Sequence, residues 1–198
     1  MAKRASRADG VMLAFLRGIN VGGNKMVPMA ELRALAEGLG LGDVETFIQS
    51  GNLIFTTALA PAAVEAALER AIEKRFGFTV DVLVRTAEQW RRYAAGSPFA
   101  DAAADRPNML HLGLAKAAVR PGAGEALGKY VQTGERVHAA DDCLWIDYRN
   151  GAGRSKLSPA VLDRAVGSTV TARNWRTVQK LSELVAAREG AAATRGKP

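Results

Sequence analysis

Two β-rich runs joined by a turn too short for any other connection constrain this chain most. Val44-Glu45-Thr46-Phe47-Ile48-Gln49 and Leu53-Ile54-Phe55-Thr56 flank Ser50-Gly51-Asn52. Such runs on either side of a Gly/Asn turn predict an antiparallel hairpin. Ahead of it, the apolar run Val11 to Leu16 leads into Arg17-Gly18-Ile19-Asn20-Val21-Gly22-Gly23-Asn24-Lys25-Met26-Val27-Pro28, and Met29, Leu32, Leu35 and Leu39 follow at helical spacing. That predicts strand, glycine-rich loop and helix, with Pro28 at the first helical position. Behind the hairpin, Pro61 opens a helix with Val64, Leu68 and Ile72 on one face; Gly77 ends it, and Phe78 to Arg85 predicts a strand. Residues 11–85 therefore read β-α-β-β-α-β, the order of a ferredoxin-like split βαβ unit with an antiparallel sheet. The expected class is α+β: a ferredoxin-like N-terminal half followed by a second, smaller α+β half.

In that second half, Thr86 is placed to cap a short helix carrying Trp90 and Tyr93, and Gly96-Ser97-Pro98-Phe99 breaks it. Met109 to Ala115 predicts a strand containing His111, and Ala123 to Leu127 a short helix. Glu135 to Ala140 and Cys143 to Arg149 predict a second hairpin turning at Asp141-Asp142. Pro159 opens a helix with Val161, Leu162, Ala165 and Val166. Thr169 to Arg173 is extended or a loop, and Asn174 caps a last helix whose Val178, Leu181 and Val185 share one face. The second half echoes the first, but no sequence repeat of fixed period accompanies the echo. The expected organisation is a disordered basic tail over 1–10, a ferredoxin-like half over 11–94, a second α+β half over 107–187 and a disordered tail over 188–198, with the boundary inside 94–107.

A chain of 198 residues can bury a real core without covalent staples. Its one cysteine, Cys143, excludes an intramolecular disulfide and a cysteine-rich metal site. Without a signal-like segment or a long apolar run, a cytoplasmic protein with no membrane partner is expected. The net charge of +7 suggests nucleic acid, but residues 1–10 and 188–198 each carry +2, leaving +3 on the body. Charge concentrated on the ends serves solubility as readily as RNA contact.

The glycine-rich loop is the first candidate site. Backbone N–H groups of such a loop, with a helix N-terminus behind it, can hold an anion, and Arg17, Asn20, Asn24 and Lys25 add donors around Gly22 and Gly23. Four residues separate Gly18 from Gly23, as in a P-loop, but Asn24 intervenes before Lys25 and Met26 stands where a magnesium-binding hydroxyl would be. Nucleotide hydrolysis is therefore not supported. The alternative is that the glycines supply only left-handed turn geometry. Ser50 and Asn52 are candidates at the hairpin turn, where turn chemistry alone also accounts for them. Arg154, Ser155 and Lys156 form a second basic loop after Gly151-Ala152-Gly153, open to the alternative of a solvated turn. Arg173 and Asn174 precede Trp175 at a helix start, where a cap and a core Trp are the simpler roles. His111 and His138 have no Cys or Glu at metal spacing, Asp141-Asp142 is a turn, and Ser50 has no base partner in the sequence. No metal, cofactor or catalytic residue is assigned. The donor-rich, acid-base-poor profile suits holding a phosphate or carboxylate.

The segments Arg17 to Lys25 with Met29, Ile48 to Asn52, Pro98-Phe99, Gly153 to Leu157 and Thr171 to Val178, in this order, resemble the bacterial family called domain of unknown function 1697. The resemblance implies an α+β protein with a ferredoxin-like N-terminal part. It implies motif roles for Arg17, Asn20, Gly22, Gly23, Ser50, Gly51, Asn52, Arg154, Ser155, Lys156, Arg173, Asn174 and Trp175, and it names no substrate.

Three functions stay open at this point: binding of a small anionic, phosphorylated ligand; a nucleic-acid-binding module, for which Phe47, Phe55 and Phe78 are the aromatics available for stacking; and a structural or oligomerisation domain. For the first, Arg17 and the loop Asn20 to Lys25 are expected to face Ser50-Gly51-Asn52. Arg154 to Lys156 or Arg173 is expected to close the same pocket.

Overall fold

The computed structural model describes residues 9–195. The chain forms two compact units, one running through Trp90 and taking in the segment from Leu184 onward, the other Arg91–Glu183. In the first unit the order is β1 (Gly10–Leu16), α1 (Met29–Gly38), β2 (Gly42–Phe47), β3 (Asn52–Thr57), α2 (Pro61–Phe76) and β4 (Val82–Thr86). The strands form one antiparallel sheet in the order β2-β3-β1-β4. This is the βαββαβ unit expected from the sequence. β1 is central, with Leu13 opposite both Ile54 of β3 and Arg85 of β4.

Period-2 alternation builds the core. Met12, Ala14 and Leu16 turn to one face with Leu53, Phe55, Val82 and Val84, and the apolar stripes of α1 (Leu32, Ala36) and α2 (Val64, Leu68, Ile72) cover them. Leu13 and Phe15, on the alternate positions, are fully buried too, and Phe15 stacks on Trp90 at 5.0 Å between ring centroids. A strand buried on both faces reads as a continuous apolar run, as Val11 to Leu16 does. Pro61 opens α2, and Gly77, at φ 78°, ends it in the left-handed conformation that a side chain disfavours. Phe55 lies in this helix-covered core, and Phe78 packs against it beside Phe76. They form no exposed stacking platform.

α3 (Ala87–Ala94) follows β4, and Thr86 and Gln89 cap each other's backbone N–H groups at its start. The second unit continues with α4 (Ala100–Asp105), β5 (Leu110–Ala115), α5 (Ala123–Gly128), β6 (Arg136–Ala139), β7 (Cys143–Asp147), α6 (Pro159–Val166) and β8 (Val170–Asn174). Its sheet order, β6-β7-β5-β8, repeats the first. The internal echo is therefore a topological duplication carried by matched registers: Leu112 faces Arg173 as Leu13 faces Arg85, and the Lys116 N–H bonds Thr169 as that of Arg17 bonds Asp81. Thr169 to Arg173, left between strand and loop by the sequence, belongs mostly to β8.

α7 (Trp175–Arg195) is capped by Asn174, whose Oδ1 accepts the Thr177 N–H at 2.9 Å. The tail expected to be disordered over 188–198 instead continues this helix to Arg195. Arg188 bonds the Asp43 carbonyl and pairs with Glu45 at 3.0 Å, which gives the last turns a docking point. Of the N-terminal tail expected over 1–10, residues 1–8 lie outside the described residues, and Gly10 already belongs to β1.

Candidate functional site

The glycine-rich loop is a closed turn. Val21 and Asn24 form a β-bridge around Gly22 and Gly23, whose φ values of 58° and 78° are both positive, as a two-residue type I′ turn requires. The N–H of Asn24 bonds the Val21 carbonyl, and that of Asn20 the Lys25 carbonyl. These donors are therefore spent within the loop. Asn20 sits at φ 55° with its whole amide engaged: Nδ2 donates to the carbonyls of Val27 (3.0 Å) and Gln49 (2.8 Å), and Oδ1 accepts the Val27 N–H (2.8 Å). Asn52 is fully buried, and its Nδ2 donates to the Phe47 carbonyl and the Ser50 hydroxyl, each at 3.0 Å. Loop and hairpin turn thus lie together, joined by Asn20 and by the Leu16 N–H on the Gly51 carbonyl at 2.9 Å. Their asparagines hold the backbone in place.

Beside this apex opens a cleft of about 570 Å³. Arg17, immediately after β1, and Lys25, from the loop, line one side; α2 brings Arg70, Glu69 and Glu73; Asp81 completes the rim. The Lys25 ammonium donates to the Thr79 carbonyl at 2.7 Å, and the Arg17 N–H to Asp81 at 3.0 Å, so both cationic residues are tied to the segment before β4. The Glu69 carboxylate accepts the Val82 N–H at 2.9 Å. Of the sequence candidates only Arg17 and Lys25 line this cleft; Asn20, Gly22, Gly23, Asn24, Ser50 and Asn52 do not. Arg70 escaped the sequence reading because it lies on the polar face of α2, where nothing local distinguishes it from Arg75 or Lys74.

The remaining candidates lie in the second unit. Ser155 donates to Glu135 at 2.6 Å and accepts the Leu157 N–H at 3.1 Å. Burial raises the Glu135 carboxyl, but the Ser155 hydroxyl and the Thr133 N–H outweigh it and hold the group at about 2. Arg154 and Lys156 are exposed. Arg173 is buried in β8 and donates to the Thr171 hydroxyl (3.0 Å) and the Ala172 carbonyl (2.9 Å); burial lowers its guanidinium to about 10.

The sequence reading also missed an ion network. The fully buried Asp147 accepts a bidentate pair from Arg106 (2.7 and 3.1 Å) and two bonds from Arg136 (2.9 and 3.0 Å), and Arg136 also reaches Asp101 at 2.8 Å. Phe99, of the Pro98-Phe99 motif, lies 4.6 Å from the Arg136 guanidinium. Burial opposes ionisation of Asp147, and the two guanidinium groups reverse that, so its carboxyl lies below the usual range.

The family described as Protein of unknown function (DUF1697) matches residues 11–145. The chain belongs to this family. The DUF1697 match takes in the βαββαβ unit from Val11 onward, with the loop and its cleft, and ends inside β7. Arg154 to Lys156, Arg173 and Asn174 lie beyond it. The conserved bacterial protein SP0830 from Streptococcus pneumoniae has a similar structure, with a TM-score of 0.70 at 23% identity over 90% of this chain and 99% of that one. At that identity the likeness establishes the fold. No curated protein matches the sequence. Among the described residues no helix is long and apolar enough to cross a membrane, and no cluster of His, Cys, Asp and Glu is suited to a metal ion.

Proposed function

We propose that the protein binds a small phosphorylated ligand in the cleft between the glycine-rich loop and α2. The observation that carries this reading is the convergence of Arg17, Lys25 and Arg70 on one opening of about 570 Å³. A phosphate facing these groups would gain charge-assisted hydrogen bonds, each worth about 1.5–3 kcal/mol. Glu73 and Asp81 on the same rim would repel a bare polyanion, but they accept from hydroxyl or amino groups. The ligand class that suits both halves of the rim is a phosphate ester of a hydroxyl- or amine-bearing small molecule. Sugar phosphates and mononucleotides meet that description.

Calorimetric titration with inorganic phosphate, sugar phosphates and mononucleotides at low salt tests the reading. An ester is expected to bind more tightly than phosphate alone, and Arg70→Ala to weaken it at least tenfold without lowering the Tm. Equal affinity in Arg70→Ala, or no saturable binding by any ester at millimolar concentration, overturns it.

A further inference from the structure

The second unit carries a cleft of its own, between α5 and α6, of about 270 Å³. Arg120, Lys129 and Arg164 line it together with Tyr130, and no carboxylate does. Three cations facing one opening repel one another unless an anion sits among them. Neither Arg120 nor Lys129 has an acidic partner among the described residues. The nearby Asp163 is committed elsewhere, accepting the Val170 N–H at 2.9 Å. Arg164 donates to the Tyr130 hydroxyl at 3.1 Å, which leaves the phenolic proton free to face the opening. Arg120 lies across Gly167: a Cβ there, at φ +87°, would come within 3.0–3.2 Å of the guanidinium. The glycine that ends α6 thus also makes the seat for this arginine. Ala123, Ala126 and Ala165 keep the walls low.

We propose that this cleft is a second anion site, taking the phosphate or pyrophosphate group of a small phosphorylated ligand through Arg120, Lys129 and Arg164, with Tyr130 as an uncharged donor. It differs from the cleft of the first unit in that every charged residue of its lining is cationic, so it favours a bare multivalent anion. Guanidinium forks match phosphate oxygens in geometry as well as charge. The proposal uses none of the residues of the first cleft and stands whether or not that cleft binds an ester.

The test is calorimetric titration of the full chain with inorganic pyrophosphate at low salt. Saturable binding is expected, weakened at least tenfold in the double variant Arg120→Ala/Arg164→Ala and retained in Arg70→Ala. Ala126→Glu, which adds a carboxylate to the wall while removing none of the donors, should weaken it similarly with no loss of Tm. Sedimentation with phosphatidylinositol-phosphate vesicles separates the sources: retention that pyrophosphate displaces identifies a lipid headgroup, and pyrophosphate binding without retention identifies a free ligand, both supporting the site. No saturable pyrophosphate binding, equal affinity in the double variant, or binding seen only with polyribonucleotide overturns the proposal.

Discussion

The Nδ2 of Asn20 donates to the Gln49 carbonyl at 2.8 Å, tying the glycine-rich loop to the β2–β3 turn 29 residues away in the chain. The same side chain closes the loop on itself through the carbonyl and N–H of Val27. The loop and the turn, expected from the strand order to face one another, are thus held together as one structural joint. Asn20→Ala removes three hydrogen bonds and leaves Ala at φ 55°, so a loss of about 2–4 kcal/mol is expected in urea unfolding.

Gly51 is fixed by space as well as by conformation. A Cβ there would stand 2.7 Å from the Ile19 Cδ1 and 2.8 Å from the Leu16 Cβ, at φ +73°. Gly51→Ala is expected to cost about 2–4 kcal/mol, combining overpacking with left-handed strain. Gly22→Ala has the strain but open space around it, and it should cost less in the same urea titration.

Ser155 and its neighbours should part company under mutation. Ser155→Ala deletes a hydrogen bond to a buried carboxylate and should lower stability by about 1.5–3 kcal/mol. Arg154→Ala and Lys156→Ala, on the exposed side of the same loop, should stay within about 0.5 kcal/mol. Thermal unfolding of the three variants at neutral pH measures the difference.

Acid should weaken the fold in two stages. Burial lowers the His111 imidazole below its ordinary 6.5, although its Nδ1 lies 3.2 Å from the Met109 carbonyl. The unfolded chain therefore takes up this proton first, and stability falls as pH drops through about 6.5. Glu135 is held at about 2 against an ordinary 4.5, so its contribution is present above 4.5 and is lost as pH falls towards 2. His111→Gln should flatten the first stage and leave the second, as followed by urea midpoints between pH 7.5 and about 3.

The end of α7 should matter to the first unit. Arg188→Ala removes the bonds to Glu45 and to the Asp43 carbonyl, and a loss of about 0.5–1.5 kcal/mol is expected in chemical unfolding. Truncation at Ala187 should cost at least as much.

Most of the elements are written in short-range spacing. The hairpin at Ser50-Gly51-Asn52, the order β-α-β-β-α-β, the proline starts of α2 and α6 and the cap at Asn174 all follow from spacings of a few residues. Family membership was also legible, because the loop and turn motifs keep their order. What those motifs hold on to depends on packing between distant segments. Register brings Gln49 to Asn20 and Glu135 to Ser155, turning candidate ligand contacts into internal hydrogen bonds. It also buries Arg173 opposite Leu112 in the second sheet. The packing of α2 on its sheet puts Arg70 on the cleft that Arg17 lines, and α6 likewise brings Arg164 to the cleft that Lys129 lines. A local pattern fixes which face of a helix is apolar. Which polar residue on the other face meets a cation from a distant loop depends on how that helix lies on its sheet, and no short-range spacing encodes that.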